Sequence, residues 1–335
     1  IPTAITNPHC IDESKIFLLF DTVHVFKNLF TNFLNKREFS CPPFGNSLTG
    51  IEAKFCHLKE LHALEVGKPV KFAYRLTDKC LNPAPIERTN VQLANSVFHE
   101  STINGLRQFA NLRPEFEDTA EFLSIVRSWW DIVNVKTPFV GKQKRDLNKE
   151  PFTLENEHSR VFLNNFSSWL KTWRETSNRD RALSSETFGA AIQTTDALPE
   201  LAEYLIREKG LQYVLLGKIQ SDPLEKRFGW YRKLAGSNYF CSVRQMLEGE
   251  KSIRLKSLVK FSNFDLAKIR QVFQSATSEH VEAVENSVKL LREHLENSEI
   301  PSELDHETLS INFYVAGFIA RSVSKSLKCE YCVQI

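Results

Sequence analysis

The sequence predicts an α/β domain that is interrupted in the chain by a helical insertion. Two short apolar runs support the α/β part, IFLLF at residues 16–20 and LQYVLLG at residues 211–217, and each leads into a helix-like segment. Continuous apolar runs of this length are typical of buried strands that are covered on both faces. Most of the residues between the two runs show helical periodicity. We therefore expect a split α/β domain with helices inserted between its two parts.

The first helix is predicted directly after the first apolar run. The segment DTVHVFKNLFTNFL places Val25, Leu29, Phe33 and Leu34 at helical spacing. Asp21 precedes this helix and follows the predicted strand, and in open α/β sheets ligands gather at that edge. Asp21 is equally suited to cap the helix, because aspartate is a favoured N-cap residue. Both interpretations of Asp21 stay open at this point.

The middle of the chain, from about residue 51 to 205, is predicted to be mainly helical. Residues 91–110 form one amphipathic pattern, and residues 121–134 and 161–173 carry aromatic stripes that favour a packed core over a cofactor site. Asp131 lies off the apolar face of its helix, and Asn134 lies to the side. Residues 140–151 are polar and basic, which predicts an exposed loop. Near the end, residues 281–295 predict a packed surface helix.

Composition limits the class of protein. A chain of 335 residues suffices for about two domains, and a formal charge of +2 requires any nucleic-acid surface to arise from local clustering. Seven scattered cysteines favour a reducing, intracellular compartment. We expect no membrane span and no signal sequence. The chain starts with Ile and ends shortly after Cys329 and Cys332, so we expect a fragment of a longer protein; that CxxC pair favours reduced thiols over half of a zinc site.

Several nucleotide and hydrolase motifs are missing from the sequence. It contains no GxxxxGK[ST], which excludes a P-loop at the level of motifs, and no GxGxxG. It also contains no HExxH, no paired CxxC motifs and no GxSxG. Zinc-dependent hydrolysis and serine hydrolysis therefore have no support in the motifs.

The segment SDPLEKRFGWYRKLAGSNYF, residues 221–240, combines acids with basic and aromatic residues. Asp222, Pro223 and Glu225 are typical of a helix start, because Asp caps, Pro fits the first turn and Glu completes a capping box. Basic residues greatly outnumber acidic ones between 218 and 260, and aromatic residues are interleaved. Basic charge attracts phosphate and aromatic rings stack on unpaired bases. A solvated helix face explains the same composition equally well.

Three stretches resemble the P-element-type transposases and their relatives with an N-terminal THAP zinc finger. These stretches are FDTVHVFKNLFTNFL, SDPLEKRFGWYRKLAGSNYF and YVAGFIARSVSKSLKCEYC. The middle, with RLTDKCLNPAPIERTNVQLANSVFHESTINGL and SWWDIVNV, is similar to that family's helical GTP-binding insertion. The most specific elements are D-x-x-H-x-x-K-N, D-x-L-E-x-x-F-G with a downstream G-x-N, and W-D-x-x-N. The resemblance covers nearly the whole chain.

The resemblance implies an RNase H-like domain of the DDE type, in which three carboxylates hold two divalent ions, Mg²⁺ or Mn²⁺, for phosphoryl transfer. On this basis the second catalytic Asp is Asp21 and the final Glu is Glu225. The implied domains are residues 1–45 and 206–262 for the RNase H-like part, 46–205 for the GTP-binding insertion and 263–335 for a helical C-terminal region.

The resemblance also implies GTP as a cofactor. Asp131 and Asn134 are expected to recognise the guanine edge, with Asp131 accepting from its N1–H and exocyclic amine. Asp222 is expected to reach the nucleotide, and Lys79 and Val91 are expected to contact its phosphates.

One departure from the family's pattern concerns catalysis. The first catalytic Asp of the family lies on a strand upstream of Asp21, and Asp12 and Glu13 fall in what is predicted to be a polar turn. The zinc finger and dimerisation helix are also missing, so we expect a truncated or domesticated copy with an incomplete metal site. The alternatives are a DNA transposase catalytic region, nuclear, acting on transposon ends and target DNA and able to form a homo-oligomer, and a non-catalytic DNA- or nucleotide-binding module.

Overall fold

The computed structural model describes residues 2–8, 14–237 and 240–261, with side chains of the last helix described to residue 253. The chain divides into two compact units, Ile1–Pro223 and Leu224–Ile335. The described part is mostly helical and contains two small antiparallel sheets of two strands each. The predicted helical character of the middle is confirmed. The RNase H-like arrangement of the flanking parts stays a prediction.

The elements follow the chain in a simple order. The strands are β1 (Ala4–Thr6), β2 (Lys15–Phe17), β3 (Glu38–Cys41) and β4 (Ile51–Lys54). The helices of the first unit are α1 (Thr22–Lys36), α2 (Phe55–Glu65), α3 (Asp78–Leu81), α4 (Val91–Val97), α5 (Glu100–Phe109), α6 (Phe116–Val133), α7 (Val140–Lys144), α8 (Glu157–Thr176) and α9 (Ser185–Lys209). The remaining helices are α10 (Asp222–Leu234) and α11 (Val243–Phe261). Short 3₁₀ turns lie at Pro85–Thr89, Leu147–Lys149, Arg179–Arg181 and Leu216–Lys218.

The predicted helix after Asp21 is confirmed as α1. Its buried face includes Val25, Leu29 and Phe33, as the spacing predicts, while Leu34 packs at the edge of the core. Phe26 stacks on Trp130 of α6, with ring centroids 4.2 Å apart. Helix α1 is therefore anchored against the C-terminal half of α6.

The aromatic stripes of the middle are core, as predicted. Trp129 of α6 and Phe166 of α8 stack with centroids 5.7 Å apart, and Trp173 is fully buried. The indole N–H of Trp129 donates to Thr195 Oγ1 on α9 at 3.0 Å, which satisfies its one polar atom. These contacts join α6, α8 and α9 into one hydrophobic core that also includes α1.

The apolar run at residues 16–20 does not form the expected buried strand. Only Lys15–Phe17 is a strand, and it pairs with Ala4–Thr6 in an antiparallel hairpin whose Ile16 is 39% exposed. A two-stranded antiparallel sheet needs cover on one face only, which allows the other to meet water. The hairpin rests on α9, where the amide of Gln193 donates to the carbonyl of Leu18. The preceding strand, β1, contains no acidic residue, and Asp12 and Glu13 lie outside the described residues.

Residues 91–110 form two helices rather than the single helix expected. The break falls at His99, which has extended backbone angles (φ −74°, ψ 145°) and accepts a hydrogen bond from the amide of Ser101 through Nδ1. His99 thus caps α5 and ends the continuity with α4. An imidazole can replace the hydroxyl or carboxylate usual at a cap, and the periodicity of the segment carries no sign of it.

The second apolar run, residues 211–217, is also not a strand of a sheet. Val214 forms an isolated antiparallel bridge with Phe152, and a 3₁₀ turn follows at Leu216–Lys218. Val214 and Leu216 are buried in the core, whereas Leu211 and Tyr213 are exposed, so only part of the run fills the core. Among the residues that the structure describes, no helix is long and apolar enough to span a bilayer.

Candidate functional site

Asp131 lies near the C-terminal end of α6 and forms two ion pairs. Its Oδ2 atom accepts from Arg127 Nε at 2.8 Å and lies 3.2 Å from Lys149 Nζ. The Asp131 side chain is 9% exposed. Burial raises the pKa of Asp131, and the two neighbouring cations oppose that rise. Among the described residues no donor reaches Oδ1, so one carboxylate oxygen keeps its accepting capacity.

Lys149 organises the carboxylates around Asp131. Its ammonium group pairs with Asp146, with Asp131 and, at 3.2 Å, with Glu100. Burial lowers the pKa of Lys149, but these carboxylates outweigh it and raise the pKa overall. The three acids cluster closely enough to hold a metal ion. Because the Lys149 ammonium already pairs with all three, the cluster is an ion-pair network.

The segment of residues 140–151 is therefore not the exposed loop expected. It contains α7 and a 3₁₀ turn, and Lys149 is only 13% exposed. Gly141 packs so tightly that a Cβ there would lie 2.5 Å from Glu150 Cγ. The basic composition of residues 140–151 reflects internal ion pairs as well as surface charge, because Lys149 pairs with acids that lie far away in the sequence.

Asn134 ends α6 and connects it to two other segments. Its Oδ1 accepts from Gln220 Nε2 at 3.1 Å, and the same Gln220 nitrogen donates to Thr22 Oγ1 at the start of α1 at 2.9 Å. The Oε1 atom of Gln220 is buried without a hydrogen-bond partner among the described residues. Among the described residues, Asn134 Nδ2 likewise has no hydrogen-bond acceptor. The end of α6 thus presents unpaired donor and acceptor groups close together.

Gly217 allows this close approach. A Cβ at residue 217 would lie 2.6 Å from the carbonyl carbon of Asn134 and 2.8 Å from the carbonyl oxygen of Val135. The Gly217 amide donates to that same Val135 oxygen at 2.9 Å. Only glycine fits here, because backbone atoms cannot move aside as a flexible side chain can.

Gly217→Ala is expected to destabilise the chain by about 1–3 kcal/mol, because the added methyl group must displace the backbone at Asn134. Urea denaturation measures this change. Gly189→Ala is the matched control, since no atom lies within 4 Å of a Cβ at that helical position. The control is expected to be neutral or stabilising by up to about 1 kcal/mol. Equal effects at both positions would contradict the close contact at Gly217.

Asp222 is the first residue of α10 and pairs with a cation beside Asn134. Its Oδ2 lies 2.7 Å from Nζ of Lys136, which follows Asn134 by two residues. The end of α6 therefore gathers three of the residues expected at the nucleotide, Asp131, Asn134 and Asp222. The predicted helix start at D-P-L-E is confirmed, and Asp222 also takes part in this ion pair.

Lys79 and Val91, the residues expected to contact the phosphates, lie elsewhere in the first unit. Lys79 is on α3 and pairs with Glu87 at 2.7 Å, with its side chain 59% exposed. Val91 is the first residue of α4, which Asn90 caps. Helix α4 reaches the end of α6 through Asn95, whose Oδ1 accepts from Arg127 at 2.9 Å. The structure thus links Val91's helix to Asp131, while Lys79's described ionic partner is Glu87.

Asp21 is the N-cap of α1. Its Oδ1 accepts from the amides of Val23 and His24, at 2.7 and 3.1 Å, and its Oδ2 accepts from the amide of Ser221 at 2.5 Å. Burial raises the pKa of Asp21, but hydrogen bonds from the Ser221 hydroxyl and from these amides outweigh it, so the pKa is lowered. These four hydrogen bonds match the roughly four lone-pair sites of a carboxylate. The capping interpretation of Asp21 is confirmed.

Asp21→Ala is expected to cost about 1–2 kcal/mol at neutral pH through loss of the cap. Because the folded pKa lies below the ordinary 3.8, the ionised cap stabilises the protein above that pH and its contribution is lost as the pH falls through the folded pKa. Denaturation from pH 7 to pH 3 should therefore show the two proteins converging. Asn90→Ala removes the cap of α4, in which the side-chain oxygen accepts from the amide of Gln92, and its cost should not vary with pH. A constant cost for Asp21→Ala would contradict an ionised cap.

Glu225 lies in the first turn of α10, in the second unit, and is exposed. Part of the predicted basic segment is internally neutralised there. Arg227 pairs with Glu250 at 2.6 Å, and Arg244 lies 3.0 Å from Glu248. Exposed cations that meet no carboxylate among the described residues are Lys226, Arg232 and Lys233. Phe228 and Trp230 are 47% and 43% exposed. The segment therefore combines accessible positive charge with accessible rings.

Several predictions fall outside the described residues. These are the pair Cys329 and Cys332, the helix at residues 281–295, and the stretch YVAGFIARSVSKSLKCEYC. Sequence reasoning also missed Arg127, Lys136, Lys149 and Gln220. Arg127 and Lys149 had local signs, a spacing of four residues from Asp131 and of three residues from Asp146.

Comparison with known proteins gives three similarities. Residues 24–146 match the family described as TNP-like, GTP-binding insertion domain. The Transposable element P transposase of Drosophila melanogaster is 22% identical over 228 residues, which are 67% of this chain and 28% of that protein. The chain resembles the P-element-type transposases. The resemblance drawn from its sequence motifs is thereby confirmed.

The P-element-type similarity extends to the fold. The Drosophila P element transposase strand transfer complex matches with a TM-score of 0.61 at 19% identity, covering 74% of this chain and 53% of that one. The present chain thus spans about half or less of these relatives. The match to the GTP-binding insertion includes Lys79, Val91, Asp131 and Asn134, whereas Asp222 and Glu225 follow it. The domain boundaries drawn from the sequence stay predictions.

Proposed function

We propose that this chain is the GTP-binding part of a P-element-type DNA transposase, with a catalytic region that is incomplete in the sequence given. The observation that supports it best is the end of α6, where Asp131 and Asn134 lie within the matched GTP-binding insertion and Gln220 Oε1 is buried with no hydrogen-bond partner among the described residues. We propose DNA as its substrate, which the transposase similarity supports, and the nucleus as its place of action.

The polar atoms at the end of α6 fit a guanine base. Asp131 Oδ1 and Gln220 Oε1 are acceptors, and Asn134 Nδ2 is a donor. Guanine offers N1–H and an exocyclic amine as donors beside the O6 acceptor, so the two sets are complementary. Adenine has no N1–H and carries an amine in place of O6, so it would leave buried groups unpaired. Unpaired buried groups are what make such sites selective.

The charges around this end of α6 suit a triphosphate only in part. Lys136 is 40% exposed and close to Asn134 in the chain, but it is paired with Asp222. Lys79 likewise has Glu87 as a partner. We propose that Lys136, Lys79 and the backbone at Val91 contribute phosphate contacts and that Asp222 reaches the nucleotide. These ion pairs are exposed and cost little to exchange.

We propose Asp21 and Glu225 as two of the three catalytic carboxylates, on the resemblance of their motifs. A bound pair of Mg²⁺ ions would activate the attacking oxygen and stabilise the leaving oxygen. Asp21 does not fit this role as it stands, since its four hydrogen bonds use its lone pairs and Ser221 would have to be released. The first carboxylate is not assigned.

A second candidate function follows from that observation. A chain whose Asp21 serves as a helix cap is suited to a non-catalytic module that binds GTP and DNA. For DNA, the exposed cations Lys226, Arg232 and Lys233 and the exposed ring of Trp230 support phosphate attraction and base stacking. Both candidates share the nucleotide site, and they differ in strand cleavage.

A titration of the 335-residue chain with GTP and ATP tests the proposal. We expect GTP to bind at least about tenfold more tightly, which corresponds to the loss of one hydrogen bond to a charged group with ATP. ITP, which lacks only the exocyclic amine, should bind between them. Equal affinity for GTP and ATP, or no binding of either, would overturn the guanine-specific site.

A further inference from the structure

We propose that a cavity at the C-terminal end of α1 is a second anion site, one that binds the phosphate group of a phosphate ester. The cavity has a volume of about 600 Å³, within the range of small-ligand pockets. It lies between the end of α1, the start of α2, the residues after α3 and the 3₁₀ turn at Pro85–Thr89. Its apolar wall includes Leu34, Phe55 and Leu81.

The charge of the cavity favours an anion. Three cations line it, Arg37, Lys59 and Arg88, against one carboxylate, Glu38. Glu38 lies 3.5 Å from Arg181, which is not part of the lining. None of the three lining cations pairs with a carboxylate in the described part of the chain. Three positive groups around one opening, without a counter-charge, raise the local concentration of anions.

Amide groups, rather than acids, hold two of these cations. Lys59 Nζ donates to Asn82 Oδ1 at 3.0 Å, and Arg88 donates to Asn35 Oδ1 at 3.4 Å. The Nε atom of Arg88 is buried and has no acceptor among the described residues. An unpaired buried donor on a charged group is costly, so the site is incomplete without an acceptor. A planar guanidinium matches the oxygen pairs of a phosphate.

The start of α2 adds a third attraction. Phe55 and Cys56, its first two residues, line the cavity, and the N-cap residue Lys54 supplies no side-chain acceptor to the first turn. Helix N-termini attract anions through their unpaired N–H groups and the helix dipole. The Phe55 amide is already paired, since it donates to the carbonyl of Arg37 at 2.7 Å, so α2 adds to the cations the positive end of its helix dipole.

The backbone conformation of Arg37 also supports the proposal. Arg37 is the C-cap of α1 with φ +68°, a left-handed conformation that favours glycine. Its side chain nevertheless lines the cavity. The residue therefore offers a cation at a position where glycine would suit the fold better, and this provides a variant that separates binding from stability.

This cavity is distinct from the nucleotide site at the end of α6. Thr22, which contacts Gln220 there, and Asn35, which contacts Arg88 here, are 13 positions apart on α1. At 1.5 Å per residue this places them roughly 20 Å apart. A phosphate could reach the cavity as a free phosphate ester or as part of a DNA backbone, and the same chemistry binds either.

The exposed thiol of Cys56 allows a direct test on the 335-residue chain. Cys41 and Cys80 are buried, so the alkylation rate of the Cys56 peptide, followed by mass spectrometry with neutral N-ethylmaleimide, reports on the cavity. The probes are inorganic phosphate and a short DNA duplex, each against chloride at equal ionic strength. We expect protection of Cys56. If inorganic phosphate protects Cys56 and the duplex does not, the ligand is a free phosphate ester. If the duplex protects Cys56 at a lower total concentration of phosphate groups than inorganic phosphate does, the ligand is the DNA backbone.

Arg88→Gln and Arg37→Gly should each raise the half-protecting concentration about tenfold, the effect of losing one charged hydrogen bond. Arg37→Gly should keep or raise thermal stability, which excludes unfolding as the cause. Lys171→Gln, which removes a cation from an exposed ion pair elsewhere, should leave the protection of Cys56 as in the parent chain. Asp131→Asn should also leave this protection unchanged, although it alters GTP binding. Protection of Cys56 by neither probe, or a half-protecting concentration in Arg88→Gln and Arg37→Gly that equals that of the parent chain, overturns the proposal.

Discussion

Asp131→Asn is expected to weaken GTP binding roughly 100-fold and to strengthen binding of XTP. Two hydrogen bonds to a charged carboxylate contribute about 3 kcal/mol, which corresponds to that factor. Xanthine carries a carbonyl group where guanine has its exocyclic amine, so the asparagine amide can donate where the aspartate accepted. Competition between GTP and XTP, measured on parent and variant by displacement of a fluorescent guanine nucleotide, gives the change in preference.

Asp131 also pairs with Arg127 and Lys149, so its loss affects stability as well as binding. Asp146→Asn is the matched control, because it removes a different carboxylate from the same lysine. We expect Asp146→Asn to lower stability with little change in the ratio of GTP to XTP affinity. Suppose that Asp131→Asn loses GTP binding without gaining XTP binding, and that Asp146→Asn loses GTP binding to the same extent. Asp131 would then have a structural role alone.

Strand cleavage is expected to depend on a longer protein. The 335-residue chain should bind DNA in a salt-dependent way yet leave a terminal-repeat substrate uncut with Mg²⁺ or Mn²⁺, because under our proposal only two of the three catalytic carboxylates are assigned in it. Extension by an upstream segment bearing the first Asp should give cleavage. In that longer protein Glu225→Ala should lower the rate by at least about 10³-fold.

Glu248→Ala provides the control for that experiment, since Glu248 is an acidic residue of the same unit that pairs with Arg244. It should retain cleavage. If the 335-residue chain itself cuts DNA in a manner that depends on Glu225, our proposal that its catalytic region is incomplete is wrong. If the extended protein binds GTP and DNA and stays inert, the non-catalytic module is the better account.

Elements with a local cause were predictable from the sequence. Helix α1 follows from the spacing of Val25, Leu29 and Phe33, and the stripes around Trp129 and Trp173 were recognisable as core, because helical periodicity is a property of neighbouring residues. The start of α10 was equally visible in D-P-L-E. The break at His99 was missed because an imidazole cap has no strong sequence signature.

Elements with a distant cause were not predictable. Residues 16–20 and 211–217 have the composition of buried strands, but the first forms an edge hairpin and the second fills a core next to Phe152. Short apolar runs are ambiguous in this way until their partners are known. Likewise Lys149 and Gln220 act through residues far away in the chain, and a single sequence carries no record of such contacts.

The structure of the chain with bound GTP is the most direct test of the central claim, that the end of α6 recognises guanine. We predict the guanine N1–H and exocyclic amine at about 3 Å from the Asp131 carboxylate, with Asn134 Nδ2 at a similar distance from the base. The hydrogen bond from Trp129 to Thr195 provides an internal reference, since neither residue is proposed to contact the nucleotide. A guanine base bound away from Asp131 and Asn134 would contradict the account.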